Sequence, residues 1–283
     1  MIIWLASYPK SGNTWVRSFL TSLIYKKDGT ADLNSMPISQ YPLRSHFNGL
    51  TNEFDNINLL SEKWIPSQDL LNLDNKIKFF KTHHVMCNFG KNSFTNYENT
   101  FGVIYIVRDP RNVITSILNY YSKNNYEEAK QFLFDEKKII GVDFSKNNEH
   151  KRGNNIATLI SSWKTHYNSW KNFKKNFLLI KYENLINDEI NEFSKIRNYL
   201  ENKLNLRFSN NKFDMAISSN SFAKLKKIEE MEGFSENVKI NTNPDVNFFN
   251  LGPKNDYKNL LDEKISIEIE KIFSLEMKEL EYI

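Results

Sequence analysis

The sequence predicts an α/β domain with a central, mainly parallel β-sheet flanked by helices. Apolar runs of strand length recur at Ile2 to Ala6, Ile77 to Phe80, Val103 to Val107 and Phe177 to Ile180, as strands buried on both faces require. Helical periodicity follows two of these runs directly. No Pro/Gly/Ser-rich linker, internal repeat or abrupt change of composition interrupts the 283 residues, 40% of which are hydrophobic. Residues 1–283 are therefore expected to form a single domain around one sizeable core.

The first run leads into Tyr8-Pro9-Lys10-Ser11-Gly12-Asn13-Thr14-Trp15. From Trp15 to Tyr25, Val16, Phe19, Leu20, Leu23 and Ile24 fall on one helical face. A strand, a turn through Pro9 to Gly12 and a helix from about Asn13 would aim backbone N–H groups and the helix dipole at a bound anion. Lys10 adds a full charge, Gly12 allows close backbone approach and Thr14 offers a hydroxyl. The plainer alternative is an ordinary strand-to-helix turn with a solvated lysine. The Walker pattern is absent, because Lys10 precedes Gly12 instead of following a second glycine, which argues against an ordinary ATP or GTP hydrolase.

Residues 26–75 contain Pro37, Pro42 and Pro66 among many Asn and Ser residues, and predict short helices and loops beside the sheet. Residues 121–155 are similarly mixed. Both stretches are expected to border a crevice at the carboxyl ends of the strands and to bind an acceptor. The second apolar run ends in Phe80-Lys81-Thr82-His83-His84. A histidine at a strand end suits general-base work near neutral pH, and a neighbouring lysine suits negative charge developing on a transferred group. Packing or surface histidines are the alternative. No metal is expected, because no set of Cys or carboxylate ligands accompanies the pair.

The third run ends in Val107-Arg108-Asp109-Pro110, where Pro110 suits a helix start and Val113, Ile114, Ile117, Leu118 and Tyr121 repeat at helical spacing. Ser116 lies about two helical turns after Arg108, so an arginine and a hydroxyl can converge on a second phosphate. The alternative pairs Arg108 with Asp109 or a helix end. The fourth run leads into Lys181-Tyr182-Glu183-Asn184-Leu185, and Glu263 to Leu280 predicts one charged amphipathic helix.

The net charge of +4 is mild and its lysines are interspersed with acids, which reads as a solvated surface and not a nucleic-acid footprint. The one cysteine, Cys87, cannot form an internal disulfide, as expected for a reducing compartment. The first residues are too few for a signal h-region, and no run reaches the roughly 18 apolar residues of a membrane span. The expected location is the cytoplasm, with no membrane or nucleic-acid partner.

Together these islands resemble the cytosolic-type sulfotransferase family, whose donor is 3′-phosphoadenylyl sulfate (PAPS). Tyr8 to Trp15 is similar to its YPKSGTTW loop, which binds the 5′-phosphosulfate, with Asn13 in place of a threonine. The resemblance thus implies that Lys10, Ser11, Gly12, Asn13, Thr14 and Trp15 hold that end of the donor. R-D-P-x-x-V with Ser116 resembles the 3′-phosphate motif, placing Arg108 and Ser116 at the other end. Lys81-Thr82-His83 resembles the KTH motif; by phase His83 is the base and His84 its neighbour. Lys181 to Leu185 is similar to the YEDL segment, and Ser221-Phe222 before Lys224-Leu225 to SF-x-x-M, which implies adenine contacts from Tyr182 and Phe222 beside Trp15.

The weakest match runs from Phe249 to Asn259, where the family reads R-K-G-x-x-G-D-W-K-N. Asn250 and Leu251 stand at its Arg and Lys, while Gly252, Asp256, Lys258 and Asn259 are retained. Gly252 can offer a backbone N–H and Lys254 a compensating charge. Asp262, Glu263 and Ile267 replace three residues of the family's dimerisation motif, so no oligomer is implied.

What the resemblance implies is a P-loop NTPase-like three-layer sandwich that moves a sulfuryl group from PAPS to a hydroxyl, less readily an amine, of a carbohydrate or small-molecule acceptor. Its product is adenosine 3′,5′-bisphosphate (PAP). His83, Lys10 and Lys81 would be catalytic and no metal would take part. Two other readings remain open at the level of sequence. A P-loop-related small-molecule or nucleotide kinase should show a Walker lysine and metal-binding acids. A non-catalytic nucleotide-binding protein is suggested by Asn250 and Leu251.

Overall fold

In the computed structural model, which describes residues 1–121, 125–141, 156–236 and 247–283, the first apolar run forms the innermost part of a four-stranded sheet. Strand β1 (Ile2–Ser7) leads into helix α1 (Asn13–Tyr25), and β2 (Lys78–Thr82) pairs with β1 in parallel, Ile2 opposite Lys78 and Ala6 opposite Thr82. Strand β3 (Thr100–Val107) leads into α2 (Pro110–Tyr120), α3 (Trp163–Lys171) follows, and β4 (Phe177–Lys181) completes the sheet in the order β2-β1-β3-β4. Every residue of β1 is buried, as a strand covered on both faces and paired on both edges requires, whereas the outermost β4 buries only Ile180 fully. The expected α/β architecture with a central parallel sheet is present.

Two boundaries differ from expectation for a readable reason. β3 starts at Thr100, where no apolar run announces it; the buried Thr100 hydroxyl accepts from the indole of Trp4 at 2.9 Å, so hydrogen bonding lets a polar residue enter the core. β2 runs on through Lys81 and Thr82, both buried, to bring the chain to His83.

The described chain forms two compact units, each made of three segments. The first comprises residues 1–8, 39–105 and 134–179 and contains most of the sheet. Its core is aromatic: Trp4 lies 5.3 Å from Tyr41 and 5.5 Å from Phe94 between ring centroids, and Phe94 lies 5.6 Å from Trp64. Short helices at Ile57–Ser61 and Trp64–Asn72 and a single 3₁₀ turn at Arg44–Phe47 occupy the stretch expected to hold them. Of the second expected insertion, 122–124 and 142–155 lie outside the described residues.

The second unit comprises residues 9–38, 106–133 and 180–283, including the last residues of β3 and β4. Beyond β4 it holds α4 (Tyr182–Asn187), α5 (Glu189–Leu204), α6 (Asn210–Ser219), α7 (Phe222–Glu232) and α8 (Glu263–Ile272). Phe19 of α1 stacks on Phe193 at 3.9 Å and meets Phe213 edge-on at 6.0 Å, which packs α1 against α5 and α6. The single helix expected from Glu263 to Leu280 is instead two, broken at Phe273. That residue leaves helical geometry (φ −107°, ψ 21°) with its ring fully buried, and a second short helix, Ser274–Glu279, follows. Charge periodicity continues through the break, so the pattern conceals it.

Candidate active site

The loop between β1 and α1 takes its form from two residues at positive φ, Lys10 at 68° and Gly12 at 96°. A side chain at Gly12 would be strained by that φ and would also meet the Tyr182 ring at 2.5 Å, so only glycine lets the loop pass here. No side chain caps α1, in contrast to α2, α5, α6 and α8, each capped by an Asp or Ser oxygen. The start of α1 therefore presents backbone donors and the positive end of its dipole. Asn13 and Thr14 are buried in its first turn, and the fully buried Ser11 Oγ has no hydrogen-bond partner among the described residues. An uncapped helix, a left-handed loop and an orphaned buried hydroxyl together suit an anion. The Lys10 ammonium lies over the rings of Tyr120 at 3.7 Å and Phe248 at 4.3 Å, a cation–π setting that orients it.

Arg108 ties this loop to α2. Its guanidinium donates from one nitrogen to the Lys10 carbonyl at 2.9 Å and to Ser116 Oγ at 3.0 Å, and stacks over the Tyr182 ring at 4.2 Å. Asp109 serves other groups: it caps α2 through the Arg111 N–H at 2.9 Å and pairs with the Arg111 guanidinium at 2.6 Å. The aspartate and the proline of the Arg-Asp-Pro run thus build the helix start, and the arginine turns to the loop. Burial holds the Tyr182 phenol above its ordinary pKa, with the neighbouring guanidinium opposing.

The three expected aromatics assemble in this same unit. Trp15 lies 6.0 Å from Tyr182 and 6.3 Å from Phe222, edge-on to both, and its indole N–H is fixed by the Asn220 carbonyl at 2.7 Å. Gly252, at φ 52°, packs so closely on Phe222 that a Cβ would meet the ring at 2.1 Å. Lys254, in the turn Gly252–Lys254, is exposed, and no hydrogen bond to Arg108 or Ser116 joins it to the cluster.

In the first unit the adjacent histidines have opposite surroundings. His83 is partly buried, and its Nδ1 lies 2.8 Å from the Ser7 carbonyl and 3.3 Å from Ser7 Oγ. A carbonyl can only accept, so Nδ1 carries the hydrogen and the neutral ring has its lone pair at Nε2, the tautomer of a base. His84 is fully buried, stacked on Phe94 at 4.1 Å, with Nδ1 donating to the Val85 carbonyl at 2.7 Å; burial pushes its pKa down to about 3. It is a core residue. Lys81 is 7% exposed, and its backbone N–H and C=O pair with Ser39 and Tyr41. Tyr41 and Phe47, within the expected insertion 26–75, are fully buried core residues.

Sequence reasoning missed two groups. His166 on α3 is held neutral by burial, with its pKa near 3; its Nε2 donates to the His83 carbonyl at 3.2 Å and its Nδ1 accepts from the Tyr105 hydroxyl at 2.8 Å. Nothing local marks a histidine 83 residues away as its neighbour. Asn255 was visible, at the second glycine of the weakest motif match, but its partners were not. It bonds Thr115, Asn112 and Ser116 of α2. Among the described residues no cluster of three or more His, Cys, Asp or Glu side chains is placed to hold a metal, and no helix is long and apolar enough to cross a membrane.

A family model described as a sulfotransferase domain matches residues 2–281. The chain is 25% identical over 276 residues to the 3-beta-hydroxysteroid sulfotransferase of Cavia porcellus, covering 96% of this chain and 82% of that protein. It is 26% identical over 278 residues to Sulfotransferase 2A1 of Rattus norvegicus, covering 96% and 83%. Among solved structures it shares its fold with retinol dehydratase in complex with androsterone and inactive cofactor PAP, at TM-score 0.59 and 16% identity over 98% of this chain and 80% of that one. Mouse sulfotransferase SULT7A1 complexed with PAP matches at TM-score 0.53 and 18% identity, over 98% and 84%.

Proposed function

Because the chain belongs to the sulfotransferase family, we propose that it transfers the sulfuryl group of PAPS to the hydroxyl of an apolar small molecule, a hydroxysteroid being the first candidate. One observation carries the reading: within one unit, Arg108 hydrogen-bonds both the phosphate-type loop and Ser116, beside the rings of Trp15, Tyr182 and Phe222. That set suits a nucleotide bearing two separate phosphates. The loop residues Lys10 to Thr14 hold the 5′ end, Arg108 and Ser116 the 3′-phosphate, and the three rings the adenine, with Gly252 backing Phe222 and Lys254 supplying long-range charge. The acceptor preference follows the hydroxysteroid for which one of those relatives is named; a carbohydrate hydroxyl is the second candidate.

PAPS supplies a sulfuryl group already joined to a good leaving group, its 5′-phosphate. His83 Nε2 takes the acceptor's hydroxyl proton as that oxygen bonds to sulfur, while the bond from sulfur to the phosphate oxygen breaks and its electron pair leaves on PAP. Lys10 neutralises the departing oxygen and Lys81 the sulfuryl oxygens. Ser7 and His166 keep His83 in the required tautomer and place. Residues 1–283 act as one sulfotransferase domain in the cytoplasm, with 26–75 and 121–155 as acceptor-binding insertions.

The test is turnover of radiolabelled PAPS with a 3β-hydroxysteroid in the presence of EDTA. Equal amounts of sulfated steroid and PAP are expected, with product lost in His83→Ala. Product from sugars but not steroids would move the acceptor class, and failure to bind PAP would overturn the reading.

A further inference from the structure

The Ser116 hydroxyl has two lone pairs and one hydrogen. Both lone pairs are occupied by protein donors, the Arg108 guanidinium at 3.0 Å and the Asn255 amide at 2.9 Å. Among the described residues, no group accepts the hydrogen of Ser116. The amide orientation at Asn255 is set by the Asn112 carbonyl, which the same nitrogen faces at 3.0 Å and where an amide oxygen would be repelled; its oxygen lies 2.6 Å from Thr115 Oγ1, whose one hydrogen also has the Asn112 carbonyl at 2.8 Å. Asn255 is 7% exposed and held on three sides, so its two N–H groups are committed, one to a helix carbonyl and one to Ser116.

We propose that Asn255 is a positioning residue for nucleotide selectivity. By occupying the second lone pair of Ser116, it makes that hydroxyl an obligate donor to the 3′-phosphate and supplies part of the selectivity that Asn250 and Leu251, lacking charge, do not. This deepens the PAPS reading and rests on it. A glycine at this position, as in the family's motif, carries no amide; without a donor there, Ser116 can rotate its hydrogen to other acceptors and arrives at the phosphate without a set direction. Polar orientation here takes the place of a cation.

A two-by-two cycle tests this, with titration of PAP beside adenosine 5′-monophosphate, which lacks the 3′-phosphate. Asn255→Leu keeps the side-chain shape and removes the amide; Asn255→Ala serves in the same cycle where the leucine variant does not fold. The expected result is a loss of about tenfold for PAP with the monophosphate changed by less than about twofold. In a Ser116→Ala background the same substitution should change PAP binding by less than about twofold. Equal losses for both nucleotides, or additive losses in the double variant, overturn the proposal while leaving the donor assignment intact. A wild-type protein that does not prefer PAP over the monophosphate overturns the PAPS reading itself, and this one with it.

Discussion

The surroundings of His83 in the first unit and the Arg108 cluster in the second organise polar groups in opposite ways. Around His83, the Ser7 carbonyl fixes the ring proton on Nδ1, and His166, itself oriented by Tyr105, donates to the His83 backbone carbonyl. Around Arg108, several donors share the work, namely the α1 start, the guanidinium, Ser116 and Asn255. A task resting on one lone pair fails when one group is lost. A task spread over many donors weakens by degrees, and under the proposed function this accommodates Asn13, Asn250 and Leu251 where the family motifs differ beside an intact Lys81-Thr82-His83.

The largest test of this contrast is His83→Ala. Loss of a general base should lower kcat by about 10²- to 10⁴-fold, with PAP affinity within about twofold of wild type. An equal kcat loss in His84→Ala at unchanged stability would break the distinction drawn between the two rings.

Arg108→Ala should show the graded side. Removing a charge-assisted contact costs about 1.5–3 kcal/mol, so calorimetry should find PAP binding weaker by roughly 10- to 150-fold, with kcat at saturating donor reduced far less. A collapse of kcat comparable to that of His83→Ala would place Arg108 in the chemical step and blur the comparison.

Acid should act first on the histidine side. His84 and His166 stay neutral when folded because burial pushes both pKa values to about 3, whereas in the unfolded chain they titrate near 6.5. Above that value neither state binds the proton and stability is unaffected. As pH falls from about 6.5 towards 3, the unfolded state gains protons that the folded rings refuse, and stability is lost. Between pH 8 and 6 this amounts to about 1 kcal/mol for each ring, measurable as a lower urea midpoint. A midpoint that does not move would mean the rings are less sealed than their burial implies.

The smallest expected effect is a gain. Leu251→Lys restores one cation near the start of the Gly252 turn and should tighten PAP by about three- to fivefold at low salt, less at high salt, with no change in kcat. Tightening that persists at high salt would point to a direct contact instead of a screened field.

Much of this was legible in the chain. All four strands, the uncapped loop before α1 and the Asp109-Pro110 helix start are local matters: side-chain periodicity, turn chemistry and capping act within a few residues, so the sequence shows them. The assignment of His83 as base rests on its phase against the family's three-residue motif and belongs to the proposed function. The weaker inferences were those that depend on long-range packing. The charge pattern from Glu263 to Leu280 gives no sign of the break at Phe273, because the ring's buried position, and not the surface pattern, sets it.

The sequence by itself determined the order of elements, the turn between β1 and α1 and the identity of the chemical groups, because each depends on neighbours along the chain. Only the tertiary structure decided that His84 stacks on Phe94 while His83 meets Ser7, that Arg108 turns to Lys10 and Ser116 while Asp109 serves the helix, and that Asn255 sits on Ser116. A side chain's protonation state and hydrogen-bond direction are set by the groups facing it in space. Those groups come from 76 residues away for His83 and 139 for Ser116, beyond the reach of any local pattern.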